Sequence, residues 1–578
     1  MASIRADIPE AYPVRRLGAR GSRTPLRDED HAESVGGRAR AVLAGVPQWW
    51  EEVAQAAGLR GRWLMVEEAI HGLAPPPAAI EGADLTGLTG FELGARYAAS
   101  LSDDVRARHG RHYTPASLAQ YLWNQARLSL GQRRRDIPLP GLISDPACGG
   151  GALLLPPLRQ HLRALAGADP RMTLAMLPQL VEGIDSDSAA VWLTNVVLAS
   201  ELLPLVARIP ESSRRPLPML AREGDGLAPV AVHARAVLMN PPYGRVRLSE
   251  AERARWDKYL YGHANLYSLF LAAGLERLDE KGVLAALIPT SFLAGRYFTS
   301  LRTELAQQVS LRDLTFVEER GGVFEGVLQE TCLATFTRRR IHRTSVASAN
   351  GRVTKVAKVA APRSDRPWVL PRRADDAHVA AAAASMPLTL QSIGWKVSTG
   401  PLVWNRRRDD LCARYDETGI PVLWAADLDG GRLHRDPAKD HMRWLVLRDI
   451  NPDVMLLKEP AILAQRTTSP EQQRRLVCVE LTPRLLRDWG GKIVVENHVN
   501  IIRPKGSVRP LVSRSTLAAL LSTRTIDRLM RCISGSVAVS AYELESLPLP
   551  DAATLMTWER LRGDALEHAV ATAYRPDG

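Results

Sequence analysis

No two of the five cysteines form a C-x-x-C pair; Cys148, Cys332, Cys412, Cys478 and Cys532 are scattered through 578 residues. That spacing argues against a disulfide framework and a structural zinc, and for a reducing compartment, so no metal site is expected. The start, "MASIRADIPEAYPVRR", has no apolar h-region and reads as no secretory signal. No apolar run reaches the length of a membrane span; "VLAALIPTSFLAG" is short and is broken by Pro289. A cytoplasmic location is expected. A G-x-x-x-x-G-K-[ST] is missing, which argues against a P-loop nucleotide triphosphatase, and so is the G-x-G-x-x-G of dinucleotide enzymes. Internal repeats and heptads are lacking too.

What is present is ordinary in bulk: 46% hydrophobic and 24% charged residues, as in a globular protein. The length exceeds what one hydrophobic core usually spans, which predicts two or three domains. The net charge of +12, most of it from arginine, favours an acidic partner, nucleic acid above all.

Residues 1–37 are polar, rich in Arg and Gly, and expected to be disordered. Residues 38–131 read as a helical N-terminal region, with "FELGARYAASLSDDVRARHG" as its clearest stretch. Over 132–340, short apolar runs alternate with amphipathic stretches: "GLISDP", "LVEGIDSD", "ARAVLMNPP", "GVLAALIP", "LTFVEE" and "TCLATFTRR". That alternation predicts βαβ units, a mainly parallel sheet, and a ligand at the carboxyl ends of its strands. Residues 341–386 read as a connector ending in a helix at "AHVAAAAAS". Residues 387–550 form a second region, mixed α/β and richer in Trp and Arg, and 551–578 a C-terminal tail.

Three acids close successive strands. "ISDPACGGGALLL" places Asp145 before a Gly-rich turn and an apolar helix start. Glycines allow close backbone approach to a ligand, and a helix N-terminus offers free N–H groups. In "EGIDSD", Asp185 stands where a carboxylate can accept both hydroxyls of a ribose, and "REGDGL" puts Asp225 at a third strand end. Each acid alone reads as a helix cap or a solvated turn. Three in succession point to a cofactor.

The series "HYTP", "DPACGGG", "GID", "GDGL" and "NPPY", in that order, resembles the S-adenosylmethionine-dependent DNA adenine N6-methyltransferases. Within them it is similar to the TaqI-like group and the related type I and type IIG modification enzymes. The resemblance runs from about Gly90 to Pro550. It implies an α/β, Rossmann-like class I methyltransferase domain with an N-terminal helical region and a mixed α/β C-terminal target-recognition domain. It also implies S-adenosyl-L-methionine as cofactor and double-stranded DNA as partner, in restriction–modification or phage defence. A separate restriction or defence subunit would be compatible with that setting.

By this resemblance, Asp145, Pro146, Ala147, Cys148, Gly149 and Gly151 wrap the methionine part of the cofactor. Asp185 meets its ribose, and Asp225, with Gly226 beside it, the amino group of its adenine. Tyr113, Thr114 and Pro115 of "HYTPASLAQYLW" line the same pocket. Asn240, Pro241, Pro242 and Tyr243 form the catalytic tetrad. An exocyclic adenine amine is a poor nucleophile because its lone pair is delocalised into the ring. Two acceptors, the Asn240 side-chain oxygen and the Pro241 carbonyl, would draw the nitrogen towards tetrahedral geometry without a strong base. The prolines stiffen the acceptors, and Tyr243 offers a π-face to an extruded base. Phe324 of "GGVFEGVLQET" holds the place of a second base-stacking aromatic. Two positions depart from the family pattern: Gly150, where Ser or Thr is commoner, and Gly226, where an apolar side chain often faces the cofactor adenine.

The C-terminal region resembles the TaqI-like recognition domain in "VSTGPLVWNRRRDDL", "ILAQRTTSPEQQRRLV", "VVENHVNII" and "LMRCISGSVAVSAYELESLPLP". Arg406 to Arg408, Arg466, Arg474 and Arg475 are candidate contacts to phosphates or guanine edges. The N-terminal part has no E-x-K following a plausible Pro-Asp, so no nuclease is read in this chain. Competing readings are a protein-glutamine methyltransferase, against which the long basic C-terminal half argues, an RNA methyltransferase, which like the first is disfavoured by the recognition-domain likeness, and a non-catalytic DNA-binding subunit, which has no need of Asn240 to Tyr243.

Overall fold

The computed structural model describes residues 15–16, 37–75, 81–102, 113–318, 330–414, 419–449, 451–468, 472–506, 509–534 and 538–575. Phe324 and nearly all of the 1–37 segment lie outside the described residues. The chain divides into two units. One is Met1–Pro289, Tyr297–Thr344 and Ala349–Val353; the other is Thr290–Arg296, Ser345–Ser348 and Thr354–Gly578.

The first unit opens with helices α1 (Gly37–Ala56), α2 (Gly90–Ser100) and α3 (Ala116–Ser129). Helix α2 starts where its sequence says it should. Thr89 accepts from the Glu92 amide while Glu92 reaches back to Thr89, a reciprocal cap that satisfies two otherwise orphaned donors. Trp50 of α1 is fully buried and donates its indole N–H to the Trp63 carbonyl at 2.9 Å, so its burial leaves no polar atom stranded.

The sheet follows: β1 (Ile143–Asp145), α4 (Leu155–Ala164), β2 (Val181–Asp185), α5 (Ser188–Ser200), β3 (Ala221–Glu223), β4 (Ala234–Met239), α6 (Leu266–Arg277), β5 (Leu278–Pro289), α7 (Thr299–Gln308), β6 (Ser310–Val317) and β7 (Thr331–Thr337). Side by side these strands run β3-β2-β1-β4-β5-β7-β6. Strands β3, β2, β1, β4 and β5 pair in parallel, and β7 lies antiparallel to both β5 and β6. This is the sheet order of a Rossmann-like class I methyltransferase domain, as expected. Every apolar run singled out in the sequence became one of these strands.

The strands are short and apolar because both faces are covered. In β4 the run Ala236 to Met239 is almost fully buried, as is Val283 to Ile288 of β5. Each such Val, Leu or Ile contributes about 1.5–3 kcal/mol by leaving water. Strand order reverses at β1, which has β2 on one side and β4 on the other. Strand ends diverge at such a point, leaving a crevice. Asp145 and Asn240 follow from the two strands that flank it.

The second unit contains an antiparallel sheet of β8 (Trp395–Thr399), β14 (Val499–Pro504), β11 (Ala461–Gln465) and β12 (Cys478–Leu481), in that order. A second sheet includes β9 (Gly419–Leu423), β10 (Trp444–Val446) and β13 (Ile493–Val495); β9 pairs antiparallel with β10 and parallel with β13. Helices α8 (Ala377–Ala383), α9 (Arg514–Leu521), α10 (Arg524–Ile533) and α11 (Gly563–Ala573) complete it. The expected connector ends in a helix, α8, but also holds two strands, Arg343–Asn350 and Arg352–Ala360. The expected tail is no tail: Leu555, Trp558, Leu566, Val570 and Tyr574 are buried in one core with Trp395, Ile462 and Ile502. Among the described residues, no helix is long and apolar enough to cross a membrane.

Candidate active site

The turn after β1 is built from backbone. Gly149 and Gly151 take φ of +50° and +81°, a region that penalises any side chain. The Thr194 hydroxyl of α5 donates to the Gly149 carbonyl at 2.5 Å and braces the turn from behind. Asp185, at the end of β2, accepts from the Gly149 amide at 2.9 Å and from the Asp187 amide at 3.0 Å, tying two strand ends together. Asp187 caps α5, so the bland reading of an acid in this motif holds for Asp187.

Asp145 is buried and accepts from the Ala147 amide at 3.0 Å. Burial pushes its carboxyl up to about 8, and the Asp185 charge pushes the same way. Cys148 is buried too, its thiol raised well above the usual range by burial. Pro146 is buried, while Ala147 and Gly149 are half-buried.

Tyr113, Thr114 and Pro115 immediately precede α3, with Pro115 as its N-cap residue. The Tyr113 hydroxyl is buried with no hydrogen-bond partner among the described residues, and burial raises its pKa. An orphaned hydroxyl is costly unless something else meets it. Its ring packs against Gly94 of α2 and Gly150 of the turn. This accounts for the departure at Gly150. A Cβ there would stand 3.2 Å from Gly94 Cα and 3.4 Å from Tyr113, so the space a Ser or Thr takes elsewhere is filled by a ring.

Gly226 has a similar explanation. A Cβ on it would come 2.8 Å from Phe270 and closer still to the Pro146 carbonyl, and Gly226 is buried, so it is a packing glycine. Asp225, beside it, is exposed and accepts from the Leu227 amide at 2.8 Å.

Asn240 to Tyr243 leave the carboxyl end of β4. The Asn240 amide nitrogen donates to the Thr114 hydroxyl at 3.1 Å. The Tyr243 hydroxyl lies 3.2 Å from Asn240 Oδ1 and 3.2 Å from the Leu287 carbonyl of β5. Tyr243 is half-buried, its ring nearly perpendicular to that of Tyr267 with centroids 6.2 Å apart. Pro241 is buried, and no described residue donates to its carbonyl. Pro242 and Asn240 are half-buried. The structure thus brings Thr114, Asn240 and Tyr243 into contact and places Asn240 Oδ1 and the Pro241 carbonyl at a strand end. Gly94 and Thr194 were missed in the sequence, because neither belongs to a motif and each acts across tens of residues.

In the second unit the arginines separate. Arg475 is 1% exposed; its guanidinium donates to the Thr468 carbonyl and to the Ser534 hydroxyl at 3.0 Å, so it is a core residue and not a surface contact. Arg474 donates to the Leu476 and Thr523 carbonyls, and half-buried Arg466 to the Asn497 carbonyl, with burial lowering its pKa. Arg406 is exposed. Arg408, one of the expected arginines, lies on a tryptophan, as do two cations the sequence reading missed, Arg435 and Lys439. Arg408 sits 5.0 Å over Trp404, Arg435 at 4.8 Å over Trp489 and 5.6 Å over Trp444, and Lys439 at 4.9 Å over Trp424.

The strand order and the motif turns define a class I methyltransferase domain. Within that class, residues 235–324 match the Eco57I restriction-modification methylase family. The chain is 25% identical to the type II methyltransferase M.PstI of Providencia stuartii over 54% of its length and 64% of that protein. It is 22% identical to the type II methyltransferase M.BsuBI of Bacillus subtilis, again over 54% of its length and 64% of that protein. The chain therefore spans less than two thirds of the length of these curated relatives. A solved structure of the type IIL restriction-modification enzyme MmeI in complex with DNA aligns over 92% of this chain and 86% of that one, at 13% identity and a TM-score of 0.49. The family match and the relatives bear out the TaqI-like resemblance and support S-adenosylmethionine as the cofactor.

The residues present fit that cofactor. The unpartnered Tyr113 hydroxyl and the side-chain-free approach at Gly149, where a Cβ would meet nothing within 4 Å, suit a polar, extended ligand.

Proposed function

We propose that the chain methylates the N6 amine of a flipped adenine in duplex DNA, using S-adenosylmethionine, within a restriction–modification setting. The observation that carries this reading is the placement of Asn240 Oδ1 and the Pro241 carbonyl at the end of β4, beside the β1 turn. Bound there, the cofactor supplies an electrophilic methyl group. Tyr113, the Asp145–Gly151 backbone, Asp185 and Asp225 hold it, the backbone turn against its amino-acid end and the acids against its nucleoside. Asn240 Oδ1 and the Pro241 carbonyl accept the two amine hydrogens and orient the nitrogen lone pair. A tyrosine pinned at its hydroxyl presents a fixed ring for the extruded base.

DNA contact in the second unit falls to Arg406 and the tryptophan-backed cations, in place of Arg475 and Arg474. A guanidinium lying over an indole is held by its face, which leaves its in-plane N–H groups for phosphate oxygens. Arg408, Arg435 and Lys439 have no carboxylate partner among the described residues. Labelled methyl transfer to duplex DNA, followed by nucleoside analysis, tests the reading: N6-methyladenine is expected. Label in cytosine, in RNA or in protein overturns it.

A further inference from the structure

We infer that Thr114 is a positioning residue that acts through Asn240, holding the amide plane with Oδ1 turned towards the Tyr243 side. The inference rests on the methyltransferase reading above. The outer torsion of an asparagine is soft and broadly populated, so an unanchored amide would present its oxygen over a wide arc. Here the amide is gripped at both ends. Its nitrogen donates to Thr114 Oγ1 at 3.1 Å, and its oxygen lies 3.2 Å from the Tyr243 hydroxyl. Thr114 is a rigid anchor: it is 3% exposed, β-branched and locked between Tyr113 and the N-cap proline of α3.

The second grip releases without moving a heavy atom. A phenol carries one proton, and the Tyr243 hydroxyl has two acceptors at equal distance, Asn240 Oδ1 and the Leu287 carbonyl. When that proton rests on Leu287, the Tyr243 hydroxyl no longer donates to Oδ1. Thr114 still holds the amide nitrogen at the moment the acceptor is needed. A β4-end amide held by a hydroxyl from the segment before α3 links two motifs that lie 126 residues apart.

The test compares wild type, Thr114→Val and Thr114→Ser in labelled methyl transfer to duplex DNA, with cofactor affinity measured by calorimetry. Thr114→Val is expected to lower kcat about tenfold, the scale of one lost hydrogen bond, while cofactor Kd shifts by less than about twofold. Thr114→Ser should restore kcat to within about twofold. Should the valine variant fail to fold, Thr114→Ala removes the same hydroxyl and should give the same split. Wild-type kcat in the valine variant overturns the inference. So does a parallel fall in kcat and cofactor affinity, which would make Thr114 a cofactor contact only, or a serine variant as slow as the valine one. If wild type itself transfers no methyl group to DNA, the parent reading falls and takes this inference with it.

Discussion

Gly94 of α2 and Gly150 of the β1 turn face one another so closely that a Cβ on Gly94 would stand 3.0 Å from the Gly150 carbonyl oxygen and 2.7 Å from the ring of Tyr113. Helix α2 thus sets the position of the Tyr113 ring beside the β1 turn. Gly94→Ala should push that ring aside and weaken S-adenosylmethionine binding about tenfold, measured by calorimetry. Overpacking of this kind costs about 1–3 kcal/mol, so a lowered melting temperature is expected as well. Unchanged cofactor affinity would detach Tyr113 from the site.

Asn240 and Asp185 should separate chemistry from binding. Asn240→Ala is expected to lower kcat by about 10²–10³, the range for losing one aimed hydrogen-bonding group, with cofactor Kd nearly unchanged. Asp185→Ala removes the acceptor of the Gly149 amide and should weaken the cofactor instead. Turnover and affinity measured on both variants decide it; an Asn240→Ala enzyme with full turnover removes the proposed mechanism.

The buried Asp145 carboxyl predicts a pH dependence of stability. Its pKa is pushed up to about 8 in the fold, against an ordinary value of 3.8. Between those values the folded chain keeps the proton while the unfolded chain gives it up, so ΔG of unfolding falls as pH rises. This contribution is complete below about pH 4 and is lost on rising through about pH 8. Asp145→Asn should flatten the decline in melting temperature between pH 5 and pH 8. A variant with the wild-type slope would show that Asp145 is ionised in the folded protein.

Arg408, Arg435 and Lys439 changed together to glutamine should reduce the salt dependence of DNA binding. Each phosphate contact contributes close to one unit to the slope of log K against log salt, so a drop of about 2–3 is expected. Arg475→Met is the contrasting case: it should lower stability and leave that slope alone. Binding titrations across a salt series distinguish the two.

The parts legible in the sequence were those whose cause is local. A strand that ends in an acid or an amide and then a turn shows itself within ten residues, which is why β1, β2 and the Asn240 turn were found. Gly94, Thr194 and the Thr114–Asn240 bond were hidden because their partners lie far along the chain. Arginine misled for a related reason. Whether a guanidinium meets solvent or the Thr468 carbonyl depends on a fold that no run of arginines reveals, and Arg475 went inside. The segment after Asp551 looked like a tail because its helices are short; their apolar side chains find a core only in three dimensions.

A ring fastened at its far end has lost the freedom to chase a guest. Its hydroxyl lies within reach of both Asn240 and Leu287 and its ring stands nearly perpendicular to that of Tyr267, so Tyr243 is held in place by the protein itself. On the proposed function, adaptation would fall to the nucleic acid, whose backbone would rotate until the base meets a platform already in place.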